Sequence, residues 1–378
     1  MTSRELLLAT MRGEKIPRMG WAPFLTFWWD HNRNPKAEAK GEMGFTRSVG
    51  ADLLLRGHRD RPAHDIYEDL YPFRKTYERS RVEERIEGRF KYQNYITPVG
   101  ELLATYTYSP TGDTWFLTGH PVKQESDFEI LRYLMKDQIL EPDTGCSDEI
   151  ARTPDALVAP LVSPLVKTGF QSMIEHWVGT EEMAEYWSET PEEIEKTLAV
   201  MYERSAESAR ICAESEAEVF LSWEDTSTTN ISPTWYKEYI LPEINAWCDI
   251  LHAKGKMYMQ HACGHLKALA PLIGSSKIDA LESVSSPPTG NTNIVELSRV
   301  LPERITLIGG LEPTFLFTAS DEALQDKLDE LVEELWGRRV ILANADSCPP
   351  MVDINRFATV TRYLCGKFNV AVPDIEVY

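Results

Sequence analysis

The sequence predicts an α/β fold: a (β/α)8 TIM-type barrel with an N-terminal helical segment and an inserted antiparallel hairpin excursion. Three observations predict it. Short apolar runs alternate with amphipathic runs over most of the chain, eight of the short runs read as strands, and chemically distinctive residues recur where those strands end. Eight parallel strands joined by crossover helices close naturally on themselves. An open doubly wound sheet is disfavoured because no G-x-G-x-x-G opens a predicted helix. No low-complexity linker or short repeat interrupts the 378 residues, so 1–378 reads as one elaborated barrel domain.

In chain order, Thr2 followed by Glu5 three places later reads as a capped helix start. Strands are expected at Met19–Phe24 and Ala51–Leu55. From about Val82 to Lys123 the pattern changes to short alternating runs broken by Pro98-Val99-Gly100 and Pro110-Thr111-Gly112, which reads as hairpins. An amphipathic helix follows, with Phe128, Leu131, Leu134 and Met135 on one face. Strands are then expected at Ala156–Pro160, Glu218–Trp223, Lys256–Gln260, Ile278–Leu281, Ile305–Ile308 and Arg339–Ala343. Helices are expected at Pro191–Cys212, Pro233–His252, Asp321–Trp336 and Ile354–Leu364.

Composition narrows the function. The balance of 39 basic against 59 acidic residues, net −20, argues against nucleic acid or an anionic membrane surface as partner. No run is apolar enough for a membrane span, and no signal peptide is read at the start. Six cysteines without framework spacing suggest reduced thiols, so a cytoplasmic protein is expected.

The stretch Met257–His265, M-Y-M-Q-H-A-C-G-H, carries the chemistry. In an extended chain residues two apart point to one side, so His261 and Cys263 converge at the end of their strand. Cys348 follows the apolar run Val340–Ala343, and Glu282 closes the strand after His-x-Cys. In a barrel all these strand ends share one cavity. Nitrogen, two sulfurs and one oxygen make a tetrahedral zinc set of His261, Cys263, Cys348 and Glu282. A lone His or Cys is more often structural; the combination points to metal. Glu224 is an alternative oxygen ligand or a general base, and His265 an alternative fourth ligand. Gly309-Gly310 before Glu312 lets backbone approach a cofactor, marking Gly310 and Glu312 as cofactor-binding candidates. An anionic zinc site of this kind suits alkyl transfer better than hydrolysis, with Glu282 and Glu224 as catalytic candidates.

The run L-S-W-E-D-T-S-T-T-N-I-S-P-T-W-Y-K-E-Y-I-L-P (Leu221–Pro242), with Q-H-A-C-G (Gln260–Gly264), I-G-G-L-E-P (Ile308–Pro313) and M-R-G-E-K-I-P-R-M (Met11–Met19), resembles the uroporphyrinogen decarboxylase superfamily. The His-x-Cys and late Cys look like its zinc-dependent, corrinoid-linked methyltransferase branch. The resemblance implies zinc on His261, Cys263 and Cys348, with Glu282 the weaker match. It also implies a methyl group moved between a small methylated substrate and cobalamin. The Arg-Gln-Ala-Gly-Arg motif of true decarboxylases is absent. So is the D-x-H-x-x-G signature of many corrinoid proteins, so a separate corrinoid protein is expected to deliver the cobalamin. Trp21, Phe24, Phe27 and Trp28 are read as a wall for an aryl methyl ether, or as a rim or homodimer contact. Methyl transfer from cobalt to a thiol and a metal-free lyase are the alternative activities.

Overall fold

A computed structural model describes residues 1–32, 40–61 and 67–376. They form two compact units. One comprises Met1–Pro72, Thr144–Leu161 and Ala213–Tyr378; the other comprises Phe73–Asp143 and Val162–Cys212.

The first unit holds the barrel. Thr2 Oγ1 accepts from the Glu5 amide and Glu5 accepts from Thr2 N, so a capping box opens the helix Ser3–Arg12. With strands numbered along the whole chain, the barrel consists of β1 (Gly20–Trp21), β2 (Leu54–Arg56), β9 (Leu157–Ala159), β10 (Val219–Ser222), β11 (Met257–His261), β12 (Ala280–Val284), β13 (Thr306–Leu311) and β14 (Val340–Asn344). Six pair in the order β1-β14-β13-β12-β11-β10, all parallel, and β2 pairs in parallel with β9. Two contacts complete the ring. Leu221 N donates to Pro160 O at 2.9 Å beside a parallel bridge from Leu161 to Leu221, and Asp52 N donates to Trp21 O at 2.6 Å. The predicted barrel is the observed one. Its strands are buried along their length, as parallel strands covered on both faces must be.

Local deviations from the expected bounds have local causes. β1 stops at Trp21 because Pro23 has no N–H to give; the Asn344 side chain takes over, accepting from Phe24 N at 2.8 Å and donating to Phe24 O at 2.7 Å. β12 runs past Leu281 to Val284 through an irregularity at Ser283, whose φ is +71° and whose hydroxyl donates to Ala345 O. The predicted helix Pro233–His252 contains a π turn at Tyr236–Ile240, just before Pro242. A proline there cannot donate to the carbonyl four residues back, and a widened turn accommodates it.

The second unit contains the antiparallel excursion. Strands β4 (Arg81–Glu87), β5 (Phe90–Thr97), β6 (Gly100–Ser109) and β7 (Thr114–Gly119) form a four-stranded meander. The helix Asp127–Lys136 packs on β5 and β6 and buries the four apolar residues read from its pattern. A further antiparallel pair, β3 (Phe73–Tyr77) with β8 (Gln138–Pro142), was not expected. Among the described residues, no helix is long and apolar enough to cross a membrane.

Asp52 holds the β1–β2 closure. It accepts from Trp21 N at 2.8 Å and takes Arg18 in a two-pronged pair at 2.7 and 2.8 Å, while almost fully buried. Asp52→Ala leaves a half-buried guanidinium without its partner and is expected to cost about 2–4 kcal/mol. Urea denaturation checks this; a loss below about 0.5 kcal/mol would show that the ring closes without it.

Candidate active site

The carboxyl ends of β1, β10, β11 and β14 border a cavity of about 410 Å³. It is lined by Phe24, Thr26, Phe27, Asp30, Tyr67, Trp223, His261, Asp346 and Ser347. Each of these follows a barrel strand or sits in the segment just beyond one, which is where a parallel barrel places its reactive groups. Phe24 stacks on Trp223 with ring centroids 5.6 Å apart, and His261 meets both edge-on. Gly57, at φ +65°, permits this packing beneath the indole; a Cβ there would lie 2.8 Å from Trp223 Nε1.

On β11 and β12, His261 and Glu282 are register partners in neighbouring parallel strands, so their side chains emerge together. His261 Nδ1 lies 2.5 Å from Glu282 Oε2. Arg56 Nε donates to the other carboxylate oxygen at 3.0 Å. The guanidinium is itself held by the carbonyls of Ala22 (2.8 Å), Pro23 and Leu54 (both 3.3 Å). Burial opposes charge on all three groups. Even so, Glu282 and the neighbouring Cys263 hold the His261 imidazole well above its usual range. The Glu282 carboxyl lies below its usual range despite burial, because His261 and Arg56 stabilise its charge. Both shifts favour the charged forms, an imidazolium beside a carboxylate.

Cys263 Sγ donates to Asp225 Oδ1 at 3.3 Å, and burial pushes its thiol up although His261 opposes the shift. Burial likewise raises the Asp346 carboxyl, against the charge of His261. Behind the wall, Glu42 accepts from Thr26 and lies 2.9 Å from His58, Arg61 grips Asp30 through both oxygens, and Tyr67 stacks on His58.

The four expected zinc donors do not converge as folded. His261 and Glu282 are bonded to each other, and Cys263 joins them through His261. Cys348 is fully buried; its thiol lies 3.9 Å from Pro349 O and makes no hydrogen bond to the other three. Among the described residues no three His, Cys, Asp or Glu side chains are gathered so as to hold a metal ion. The donor chemistry suits zinc; the arrangement does not yet fit it. Glu282 has both oxygens engaged, so here it orients the imidazole instead of offering itself as a ligand.

Other expected positions fall elsewhere. Trp21 and Trp28 are core residues, not cavity wall: their indole N–H groups donate to Phe357 O and Val352 O, and Trp28 stacks on Phe45. Phe24 and Phe27 do line the cavity. Glu224 is fully buried and absent from the lining; its charge acts on Tyr236 and Tyr258. Gly310 and Glu312 border a second cavity of about 380 Å³ with Ser286, Phe315 and Lys327. His265 is held through its backbone by Ser227 and Thr228. Sequence reasoning missed Arg56, Asp225 and Asp346. The visible signal for Arg56 was an arginine directly after the apolar Leu53-Leu54-Leu55 run.

Removing one member of a buried ion pair strands the other. Glu282→Leu and Arg56→Leu are each expected to cost about 3–5 kcal/mol, and the double variant markedly less than their sum. Equilibrium unfolding of the three variants checks this; additive losses would mean the two side chains do not depend on each other.

No curated protein matches the sequence. Among solved structures, a methyltransferase from Methanosarcina mazei is similar with a TM-score of 0.61 at 12% identity, over 97% of this chain and 99% of that one. A B12-independent methionine synthase from a Shewanella species is similar with a TM-score of 0.41 at 10% identity, over 93% and 96%. Residues 167–364, more than half of the chain, match the family model described as uroporphyrinogen decarboxylase (URO-D). The chain belongs to the uroporphyrinogen decarboxylase family.

Proposed function

We propose that this member of the family is a methyltransferase. It moves a methyl group between a small methylated substrate, in the first instance an aryl methyl ether, and a corrinoid delivered by a separate protein. The observation that carries the reading is the cavity wall: four aromatic residues and, among the described residues, no lysine or arginine. Decarboxylation of a polycarboxylate calls for convergent cations. Arg56, the guanidinium behind His261, is committed to Glu282 and three carbonyls. The fold shared with the Methanosarcina mazei methyltransferase supports the same direction, as a likeness of fold.

The residues divide the work. Phe24 and Trp223 offer a flat apolar surface on which an aromatic ring can pack, excluding water from the ether. His261, fixed through Nδ1 by Glu282 and beside Cys263, lines the cavity. When the C–O bond breaks and its electron pair stays on oxygen, the imidazolium can give that oxygen a proton. Arg56 and Glu282 hold the ring at one angle and preserve its charge. A corrinoid, when bound with its carrier protein, would supply the centre that accepts or returns the methyl group, while Phe24, Trp223 and His261 hold the methylated substrate.

Zinc on His261, Cys263, Cys348 and Glu282 remains part of the proposal, and would supply Lewis acidity to the same oxygen. It requires Cys348 to turn inward and the His261–Glu282 bond to rearrange. Protein purified without added metal is expected to carry about one zinc per chain, lost in both Cys263→Ala and Cys348→Ala. Less than about a tenth of that removes zinc from the account and leaves the imidazolium as the acid.

With a reduced corrinoid protein and methoxyarenes, the cobalt spectrum is expected to change only when this chain is present. Trp223→Ala should raise KM about tenfold or more, with a smaller effect on kcat. No change with any methyl donor, in either direction of transfer, would overturn the reading.

A further inference from the structure

We infer that this chain pairs with a second copy of itself along strand β4, antiparallel, with Glu84 of each copy on the two-fold axis. The inference concerns the antiparallel unit and is independent of the reaction assigned to the barrel. In the order β4-β5-β6-β7 the strand Arg81–Glu87 is an edge, and among the described residues no strand or bridge pairs with its outer side. All 7 of its residues are exposed, and Val82 at 38% and Ile86 at 59% leave apolar surface on one face. The backbone alternation fixes which groups point outward. Tyr108 N donates to Arg89 O at 2.9 Å, so Phe90 turns its own backbone groups to Glu87 within the β4–β5 hairpin. Every second residue from Glu87 then faces β5, and Val82, Glu84 and Ile86 turn their N–H and C=O groups to the outside. Such an edge is a template for another strand.

The side chains select the strand that fits. About Glu84, the run R-V-E-E-R-I-E is complementary to itself. Antiparallel pairing centred there sets Arg81 opposite Glu87 of the second copy and Glu83 opposite Arg85, each twice and all on one face. Val82 meets Ile86 twice on the other face. Moving the centre by one residue destroys the match. Centred on Glu83, Arg81 would oppose Arg85 and Glu83 would oppose itself; centred on Arg85, Glu83 would oppose Glu87 and Arg85 itself. The two Glu84 carboxylates do meet on the axis, and Lys91, 4.0 Å from Glu84 within each copy, offsets their repulsion. In the single chain the same charges pair along the strand, Arg81 with Glu83 at 2.8 Å and Arg85 with Glu87 at 3.3 Å, at a solvent surface where such pairs contribute little. A contact through one short strand is smaller than a standard interface, so a dissociation constant on the order of 10 µM is expected.

Sedimentation velocity of the full chain tests this, run from roughly tenfold below to roughly tenfold above that constant. The mass is expected to pass from one chain to two. Arg85→Glu sets glutamates opposite each other and should weaken the dimer about tenfold or more. Adding Glu83→Arg to that variant restores opposite charges across the axis, and the double variant should return to within about threefold of the parent. Glu84→Pro removes an outward N–H while sparing the β4–β5 ladder, and should leave a monomer. Thermal melts confirm that each variant folds. Amide exchange at Val82, Glu84 and Ile86 should slow as the concentration of the parent rises. A monomer across the whole range, or a dimer that Arg85→Glu and Glu84→Pro leave unchanged, would overturn the inference. So would a double variant that associates no more tightly than Arg85→Glu alone.

Discussion

One buried chain of charges, Arg56–Glu282–His261, constrains the rest of this structure. Three ionisable groups lie in the barrel interior, where an unpaired charge would cost several kcal/mol. Each is satisfied only because strands distant in sequence deliver the others. β2 supplies Arg56, β12 supplies Glu282, β11 supplies His261, and the end of β1 supplies two carbonyls that hold the guanidinium. If the ring opened, these groups would lose one another. The chemistry and the closure of the barrel are thus one arrangement, and the imidazole is aimed by the same contacts that join the strands.

The cavity is therefore mixed in character. Phe24, Phe27 and Trp223 make it apolar, while His261, in edge contact with two of those rings, and Asp346 make it polar. A shared barrel hosts different reactions by changing the residues at its mouth.

Much of this was legible in the sequence. All eight barrel strands lay within a few residues of their predicted bounds, because a parallel strand buried on both faces must be almost wholly apolar. The meeting of His261 with Cys263 and Glu282 followed from strand alternation and from the order of strands in a barrel. What could not be read was the direction of individual side chains around the ring. Trp21 and Trp28 look the same in sequence as Phe24 and Phe27, yet the first pair finds carbonyl partners in the core and the second faces the cavity. Arg56 looked like the first residue of a loop. Only the barrel's closure, which brings β2 across from β12, turns it into Glu282's counter-ion. The pair β3–β8 was missed because its two strands are separated by the whole meander, and no local turn announces the pairing.

The central claim is that Glu282 orients a charged His261 through Nδ1. Proton NMR of the full chain with nitrogen-labelled histidine tests this most directly. The account predicts a strongly downfield Nδ1 proton, assigned to His261, that vanishes in Glu282→Gln while the other histidine signals stay in place. A His261 ring lacking that proton, or one whose resonance is indifferent to Glu282→Gln, would contradict it.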